Sequence, residues 1–393
     1  MKIAVVGGGI GGLTAALALL KRGFEVDVYE QAHELREVGA GIQISANGNR
    51  VLAALGVLEP LKELSCEASG KEIRLWSTGQ TWKLFDLGQE SIARYGFPYL
   101  TVYRPDLIGV LADAVRREKP DAIHLDSKLS ALDAQALVLK LQNGKEAKAD
   151  LIVGADGVHS RVRQALFGEG EARFTGIVAW RGTVPMERLP AHMRRRVGTN
   201  WIGPGGHVVH YPVHRGEYMN FVGVVERADW KIESWTALGS AEDCAADYAG
   251  WHDDIHRMIR GAPQLYKWAL VGRAPMERWT QGRVTLLGDA CHPMLPMLAQ
   301  GAVMAMEDGL VLARALAEVK DSAAALERYE AARKERTRRT VLGSAENAKR
   351  FHNPRLADAQ GAQEYVDREW SEPRIRERYE WLFTYDATAA PLA

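Results

Sequence analysis

Acids set directly against glycine turns, and a histidine and a tyrosine on one strand face, are the residues best placed for chemistry. In Gly206-His207-Val208-Val209-His210-Tyr211-Pro212, a strand reading puts His207, Val209 and Tyr211 on one side, with Val208 and His210 on the other. Two titratable groups on one face can pass protons to and from a bound molecule, so His207 and Tyr211 form the stronger pair. His210 takes that role if the register slips by one, and either ring also reads as an ordinary core residue. Of the acids, Glu30 closes a strand, Asp156 sits in Gly154-Ala155-Asp156-Gly157, and Asp289 follows Gly288. The glycines around Asp156 mark a tight turn close to a ligand or another loop, and a helix N-cap is an equally open reading. Cys66, Cys244 and Cys291 are odd in number and widely spaced. They point to neither a disulfide framework nor a metal site.

The elements that must carry these groups begin at the N-terminus. Ile3-Ala4-Val5-Val6 is short enough for a buried strand. Gly7, Gly9 and Gly12 satisfy G-x-G-x-x-G, and a helical run follows from Leu13 to Leu20. A second strand, Phe24 to Tyr29, ends on Glu30. Gly7 permits the tight turn, Gly9 lets a pyrophosphate approach the backbone, and Gly12 lets the helix pack on the strand. The N–H groups at the start of that helix favour phosphate, and an acid at the position of Glu30 can accept from a ribose hydroxyl. The pattern implies an adenine dinucleotide and leaves NAD and FAD both open.

Farther along, Asn47 to Leu55 reads as a helix, Lys71 to Val102 as strands, and Arg104-Pro105-Asp106 as a helix start. Asn143-Gly144 marks a hairpin between Ala136–Leu141 and Ala147–Val153. Residues 172–275 are rich in β-branched and aromatic residues, with Trp180, Trp201, Trp230 and Trp235 among them, and read as a mostly antiparallel second domain. Helices are expected from Gly301 to Leu316 and from Ser322 to Arg350. The mixed-sign run Arg333 to Arg339 reads as a solvated helix face. Lys+Arg 50 against Asp+Glu 50 argues against nucleic acid or an anionic membrane as partner. No apolar run approaches the ~20 residues needed to span a bilayer. The start does not resemble a signal peptide, so a cytoplasmic location is expected.

With Gly39-Ala40-Gly41-Ile42, Arg104, Asp156-Gly157, Trp180-Arg181-Gly182, Tyr211-Pro212, Gly288-Asp289-Ala290-Cys291-His292-Pro293 and Ala299-Gln300-Gly301 in view, the chain resembles the single-component FAD-dependent aromatic hydroxylases around para-hydroxybenzoate hydroxylase. It is closest in pattern to the salicylate, 3-hydroxybenzoate and 6-hydroxynicotinate enzymes, and the likeness covers nearly its whole length. The resemblance implies FAD held by Gly7, Gly9, Gly12, Leu13, Glu30, Arg36, Arg104, Asp156, Asp289, Gly301 and Ala302. It puts Arg36 near the adenosine and Asp289 on a ribityl hydroxyl. It puts the Pro296 carbonyl near the reactive flavin edge, and the first N–H groups of the helix after Ala299 at the pyrimidine ring. It also agrees with His207 and Tyr211 as substrate-facing groups. Gln43 stands where the hydroxynicotinate enzyme has a histidine that can act as base, and glutamine cannot take a proton. That departure weighs against a hydroxynicotinate substrate. His292 reads as structural.

The implied architecture is α/β: a Rossmann-like FAD-binding domain of residues 1–171 and 276–350 with inserted antiparallel strands, and a β-sheet substrate domain of residues 172–275. Part of 71–102 joins the latter, and residues 351–393 form a helical tail. The implied reaction uses NADH or NADPH and O2 to hydroxylate a small aromatic acid or phenol through a C4a-hydroperoxyflavin. A heteroaromatic substrate, or a non-catalytic FAD-binding redox sensor, are the alternatives. A monomer or homodimer is expected.

Overall fold

The computed structural model describes residues 1–35, 40–170, 173–227, 229 and 237–392, so Arg36, Gly39, Trp230 and Trp235 lie outside the described residues. The N-terminal pattern folds as strand Lys2–Val6, helix Ile10–Leu20 and strand Glu25–Tyr29. Lys2–Val6 lies inside a six-stranded sheet, parallel to Glu25–Tyr29 on one side and Leu151–Gly154 on the other, with Val284–Leu286 beyond. Ile3, Val5, Val26 and Val28 are fully buried, as a parallel sheet covered by helices requires. Close packing follows from absent side chains. A Cβ on Gly12 would stand 2.0 Å from the Gly7 carbonyl oxygen, and one on Gly309 would stand 2.8 Å from the Ala15 nitrogen. Gly309 belongs to helix Gly301–Glu318, which packs on helix Ile10–Leu20.

Between Glu25–Tyr29 and Leu151–Gly154 the chain makes two small antiparallel sheets, one on either side of the short strand Ile123–His124. Gly41–Ile44, Leu100–Tyr103 and Cys66–Glu67 form one. Leu129–Asp133, Val138–Leu141 and Glu146–Lys148 form the other, with Gly144 at φ 82 in the hairpin turn. The strand expected over Ala147–Val153 divides in two. Asp150 turns the chain by donating its N–H to the Lys2 carbonyl at 2.8 Å and accepting the Lys2 N–H on its carboxylate at 2.7 Å. Leu151–Gly154 then enters the parallel sheet.

The large sheet has eight strands: Leu238–Gly239, Leu265–Gly272, Arg173–Pro185, Tyr218–Glu226, Gly206–Val213, Val197–Gly203, Gly70–Leu75 and Thr81–Asp86. Gly70–Leu75 pairs parallel to Val197–Gly203, and the other described pairs are antiparallel. Ile73, Leu75, Ile202 and Val224 join the core shared with the parallel sheet. Trp180, Trp201, Val208 and Phe221 pack on the opposite side with Cys244, Ile255 and Met258 of helices Ala241–Asp247 and Asp253–Gly261.

Helix Ser322–Phe351 corrects one expectation. Arg333 is fully buried, whereas Glu335, Arg338 and Arg339 are exposed. Arg333, Thr337, Thr340, Ser344 and Asn347 recur at helical spacing and form one buried polar stripe. The stripe exists because it faces buried acids. Arg333 meets Glu307 at 2.8 Å and Asp308 at 2.7 Å, Arg336 meets Glu307 at 2.8 Å, and His292 meets Asp308 at 2.5 Å. Helices Ala359–Glu369 and Glu372–Phe383 form the tail, whose end docks through Arg314 on the Ala387 and Ala390 carbonyls at 3.0 and 2.9 Å. Among the described residues no helix is long and apolar enough to cross a membrane.

Burial alone would raise the carboxyls of Glu307 and Asp308. Arg336 and Arg333 around the first, and His292 and Arg333 around the second, hold both below their ordinary range. Their stabilising contribution is therefore complete above about pH 4 and is lost as pH falls through the depressed values. Arg333→Met leaves the acids under-compensated and is expected to cost about 3–5 kcal/mol. Thermal unfolding at neutral pH checks this, and an unchanged midpoint would refute it.

Candidate active site

The first glycine turn is shaped around open space. Gly7 sits at φ 107, where a Cβ would stand 2.4 Å from the Ala155 carbonyl oxygen. A methyl built on Gly9 would meet no atom within 4 Å. Helix Ile10–Leu20 begins there with no side-chain cap and no acid in its first turn. The Leu13 N–H already donates to the Gly9 carbonyl at 2.9 Å, so the leading N–H groups are those before it. The carboxylate of Glu30 accepts from the Gly8 N–H at 2.6 Å and the Ala32 N–H at 2.8 Å, at the rim of the same turn.

Asp156 is not the N-cap that one reading allowed, because Ser160 holds that position and accepts from the Arg163 N–H at 2.9 Å. Asp156 supports the same helix start from four residues upstream. Its carboxylate accepts from Arg161 and Val162 N–H groups at 2.7 and 3.1 Å and from the Ser160 hydroxyl at 2.5 Å, at the start of helix Arg161–Phe167. Asp289 follows a turn made by Gly288 at φ 62. Its side chain is exposed and lies within the fields of His292 and Arg104. Loss of hydration raises its carboxyl above the ordinary value, against the opposing pull of His292 and Arg104.

Pro296 begins the short helix Pro296–Leu298, and its carbonyl accepts from the Ala299 N–H at 3.1 Å. Ala299 then adopts a left-handed conformation, φ 54 and ψ 40, rare for a residue with a Cβ and found where local strain is retained for a purpose. Gly301 and Ala302 follow, half-buried, at the uncapped start of helix Gly301–Glu318. The loop is held from behind by Ser344, which donates to the Leu295 carbonyl, and by Asn347, which donates to the Met297 carbonyl at 3.2 Å.

His207 and Tyr211 lie on the face of the large sheet that joins the shared core. Pairing sets His207 beside Val224, Val209 beside Val222 and Tyr211 beside Asn220, all turned toward the shared core. Asn220 accepts the Gly41 N–H at 2.6 Å, and a Cβ on Gly41 would press into Tyr211 and Asn220 at 2.6 Å. Tyr99 donates to Gln43 at 2.9 Å. Burial raises the Tyr211 hydroxyl far above its ordinary value, against its hydrogen bond with Gln43 and the charge of Arg104. Burial raises Tyr99 likewise, and Tyr211 and Tyr379 add to it. Both phenols stay protonated, so this corner offers neutral donors and acceptors. Lys71 pairs with Gly198 on the same face. Its ammonium makes no hydrogen bond or ion pair with any described residue, and burial lowers it to about 8.

His207 and Tyr211 share a face but not surroundings. His207 lies against Phe351 and His352, with its Nδ1 2.7 Å from the His352 Nε2. His210 points to the other side, beside Arg74, Arg195 and Asp254, so the register is not shifted. Sequence reasoning passed over Tyr99, Lys71 and His352. For Lys71 a signal was present, a lone cation at an inward-facing strand position. For Tyr99 and His352 the partners are remote in the chain.

Residues 1–344 match a family described as the FAD binding domain. The chain belongs to this family. It is 37% identical over 390 residues to 3-amino-4-hydroxybenzoate 2-monooxygenase PtnB3 of Streptomyces platensis, covering 98% of this chain and 96% of that one. It is 33% identical over 398 residues to the 6-hydroxynicotinate 3-monooxygenase of Pseudomonas fluorescens, covering 100% and 96%. Klebsiella pneumoniae HpxO complexed with FAD and uric acid matches its fold with a TM-score of 0.81 at 28% identity, covering 100% and 98%. This FAD-binding protein is thus a flavin-dependent aromatic-ring monooxygenase with NAD(P)H as electron donor. The open space at Gly9, two uncapped helix starts and the exposed carboxylate of Asp289 fit such a cofactor.

Gly9 has φ −74 and ψ −176, which alanine also adopts. Gly9→Ala should therefore fold with an unchanged unfolding midpoint in the FAD-free protein but bind FAD about tenfold more weakly, ~1.4 kcal/mol. Flavin titration measures this, and parental affinity would remove Gly9 from the cofactor's path.

Proposed function

We propose that this monooxygenase hydroxylates a small aromatic acid bearing a ring hydroxyl, the pattern shared by the aminohydroxybenzoate and hydroxynicotinate in its relatives' names. The observation that carries the reading is Lys71, a cation with no ion-pair partner among the described residues, on the same sheet face as Tyr211 and next to Gly198, whose missing side chain leaves room toward Gln43. An ammonium desolvated without a protein counter-charge is suited to a substrate carboxylate, which would restore its full charge.

In this reading FAD, once reduced by NADH or NADPH, supplies the activated oxygen that enters the ring. Gly7, Gly9, Gly12 and Leu13 receive its phosphates, Glu30 its adenosine ribose, and Asp289 with Arg104 its ribityl side. The leading N–H groups of Gly301 and Ala302 lie at the ring end, with Pro296 beside them. Asp156 acts indirectly, because its carboxylate is committed to a helix start. Tyr211 and Gln43 orient the substrate hydroxyl with neutral hydrogen bonds. Gln43 cannot ionise, so the base on this face is His207, which burial and the neighbouring His352 keep neutral. Deprotonating the ring hydroxyl makes the ring a stronger nucleophile toward the activated oxygen. The three buried cysteines support a reducing, cytoplasmic setting.

Substrate-stimulated NAD(P)H oxidation with product analysis, across 3-amino-4-hydroxybenzoate, 3-hydroxybenzoate, salicylate and 6-hydroxynicotinate, tests the assignment. A protein that retains FAD yet couples oxidation to no product would sink it. Lys71→Met should raise KM for carboxylated rings about tenfold or more while leaving phenols without a carboxylate little changed. In the parent enzyme KM should rise as pH climbs through about 8, where Lys71 loses its proton. Equal effects on both substrate types would exclude the carboxylate contact. Tyr211→Phe is expected to slow hydroxylation more than flavin reduction, as separate stopped-flow phases report. Equal slowing would take Tyr211 out of the oxygen-transfer step.

A further inference from the structure

The loop that leads into helix Gly301–Glu318 is gripped by two side chains of one neighbouring helix. Ser344 and Asn347 lie about one turn apart on the buried stripe of helix Ser322–Phe351, 0% and 1% exposed. The Ser344 hydroxyl accepts the Met297 N–H at 3.2 Å and donates to the Leu295 carbonyl. The Asn347 amide donates one hydrogen to the Met297 carbonyl and the other to the Tyr379 hydroxyl oxygen, each at 3.2 Å. Its own oxygen accepts from Arg350 at 2.9 Å. Because a guanidinium only donates, that contact decides which end of the amide faces the loop. Gly343 lets the helix come close, since a Cβ there would press on Leu298 at 3.3 Å.

These contacts bracket Pro296. Proline has no N–H by which to be anchored, and its carbonyl accepts the Ala299 N–H at 3.1 Å within the turn. Its place is therefore set by Leu295 and Met297, both held from helix Ser322–Phe351. The left-handed Ala299 that follows persists because its surroundings over-determine it. The grip also reaches the tail. Tyr379 belongs to helix Glu372–Phe383, and Phe383, one turn on, sets its ring 6.2 Å from that of Tyr99. Asn347 and Tyr379 lie beyond residues 1–344, the span matched to the FAD binding domain, so part of the loop's support comes from outside that span.

We propose that Ser344 and Asn347 are positioning residues for oxygen transfer. By holding the backbone on both sides of Pro296 they fix where its carbonyl and the first N–H groups of helix Gly301–Glu318 meet the flavin. That placement determines whether the activated oxygen enters the substrate ring or is lost. This rests on the reading that the loop lies at the ring end of FAD. In the coupled reaction NAD(P)H, O2, a ring C–H and one proton give NAD(P)+, a ring C–OH and water. In the uncoupled one NAD(P)H, O2 and one proton give NAD(P)+ and hydrogen peroxide. Displacing reacting groups by about 1 Å slows transfer on the order of 100-fold, while loss to peroxide needs no such alignment.

Asn347→Asp keeps the shape of the side chain but cannot donate to the Met297 carbonyl, and Ser344→Ala removes only a hydroxyl. The first readout needs no substrate. Amide N–H groups at a helix start stabilise negative charge on reduced flavin. In FAD-loaded N347D the preference for reduced over oxidised flavin should fall about tenfold, about 30 mV lower in midpoint potential for a two-electron couple. The second is peroxide formed per NAD(P)H consumed, measured with whichever of 3-amino-4-hydroxybenzoate and 6-hydroxynicotinate the parent converts. It should rise about fivefold or more in both variants, with the rate of flavin reduction within about twofold of the parent. A parental potential in N347D, or a parental peroxide yield, overturns the proposal. So does weaker FAD retention with both readouts unchanged in the flavin-bound fraction, which marks a purely structural role. If N347D does not fold, S344A supplies both readouts. If the parent converts neither compound, the substrate reading fails, and the potential alone decides the role of Ser344 and Asn347.

Discussion

Two adjacent carboxylates, Glu307 and Asp308, lie completely buried in helix Gly301–Glu318, and the cofactor side of the molecule is arranged to keep them charged. Unpaired, each would lose several kcal/mol of hydration. Arg333 and Arg336 reach them from helix Ser322–Phe351, and His292 reaches Asp308 from the loop that precedes helix Gly301–Glu318. The compensation extends into the site. Glu307 accepts from Asn47 at 2.7 Å, and Asn47 also donates to Gln300 at 3.1 Å, just before the helix start. Asp308 accepts the Gly288 N–H at 3.1 Å. One pair of acids thus sets both the turn that presents Asp289 and the residue that precedes Gly301 and Ala302.

The large sheet imposes a second constraint by dividing its chemistry between faces. Because strand residues alternate, His207, Val209 and Tyr211 are turned toward the shared core while His210 is turned away. Gly70–Leu75 extends this face from a distant part of the chain, and its parallel pairing with Val197–Gly203 brings Lys71 level with Gly198. The opposite face is closed by its own aromatic core and two helices. Tyr211, Asn220 and Lys71 therefore lie on one side of the sheet, and His210 and Arg74 on the other.

Much of this was legible in the residues. The N-terminal glycines, the strand ending at Glu30, the turn at Asp156 and the strand before Asp289 declare themselves locally, because glycine spacing and apolar runs are short-range signals. The parallel sheet and the mostly antiparallel second sheet follow from those patterns. What stayed hidden depends on pairing across the chain. Glu307 reaches Asn47 across 260 positions, and His207 reaches His352 across 145. Arg333 illustrates the difficulty. A charged residue in a run of mixed sign is usually solvated, and only the buried acids on a neighbouring helix reverse that expectation. Asp156 shows the converse, since all its described partners lie within six residues, although Ser160 and not Asp156 holds the N-cap.

Gly41 leaves no room for a side chain against Tyr211 and Asn220, and its N–H is tied to the Asn220 oxygen. The strand beside the cofactor cleft and the sheet that faces it are therefore keyed together at one point. Such a key divides the pocket into places that tolerate redesign and one that does not. Half-buried Val209 and Val222, and the bare Gly198, can be varied to admit rings of other sizes without disturbing the distance between the two halves. Position 41 sets that distance, so changes of substrate range in directed evolution should accumulate around it and spare it.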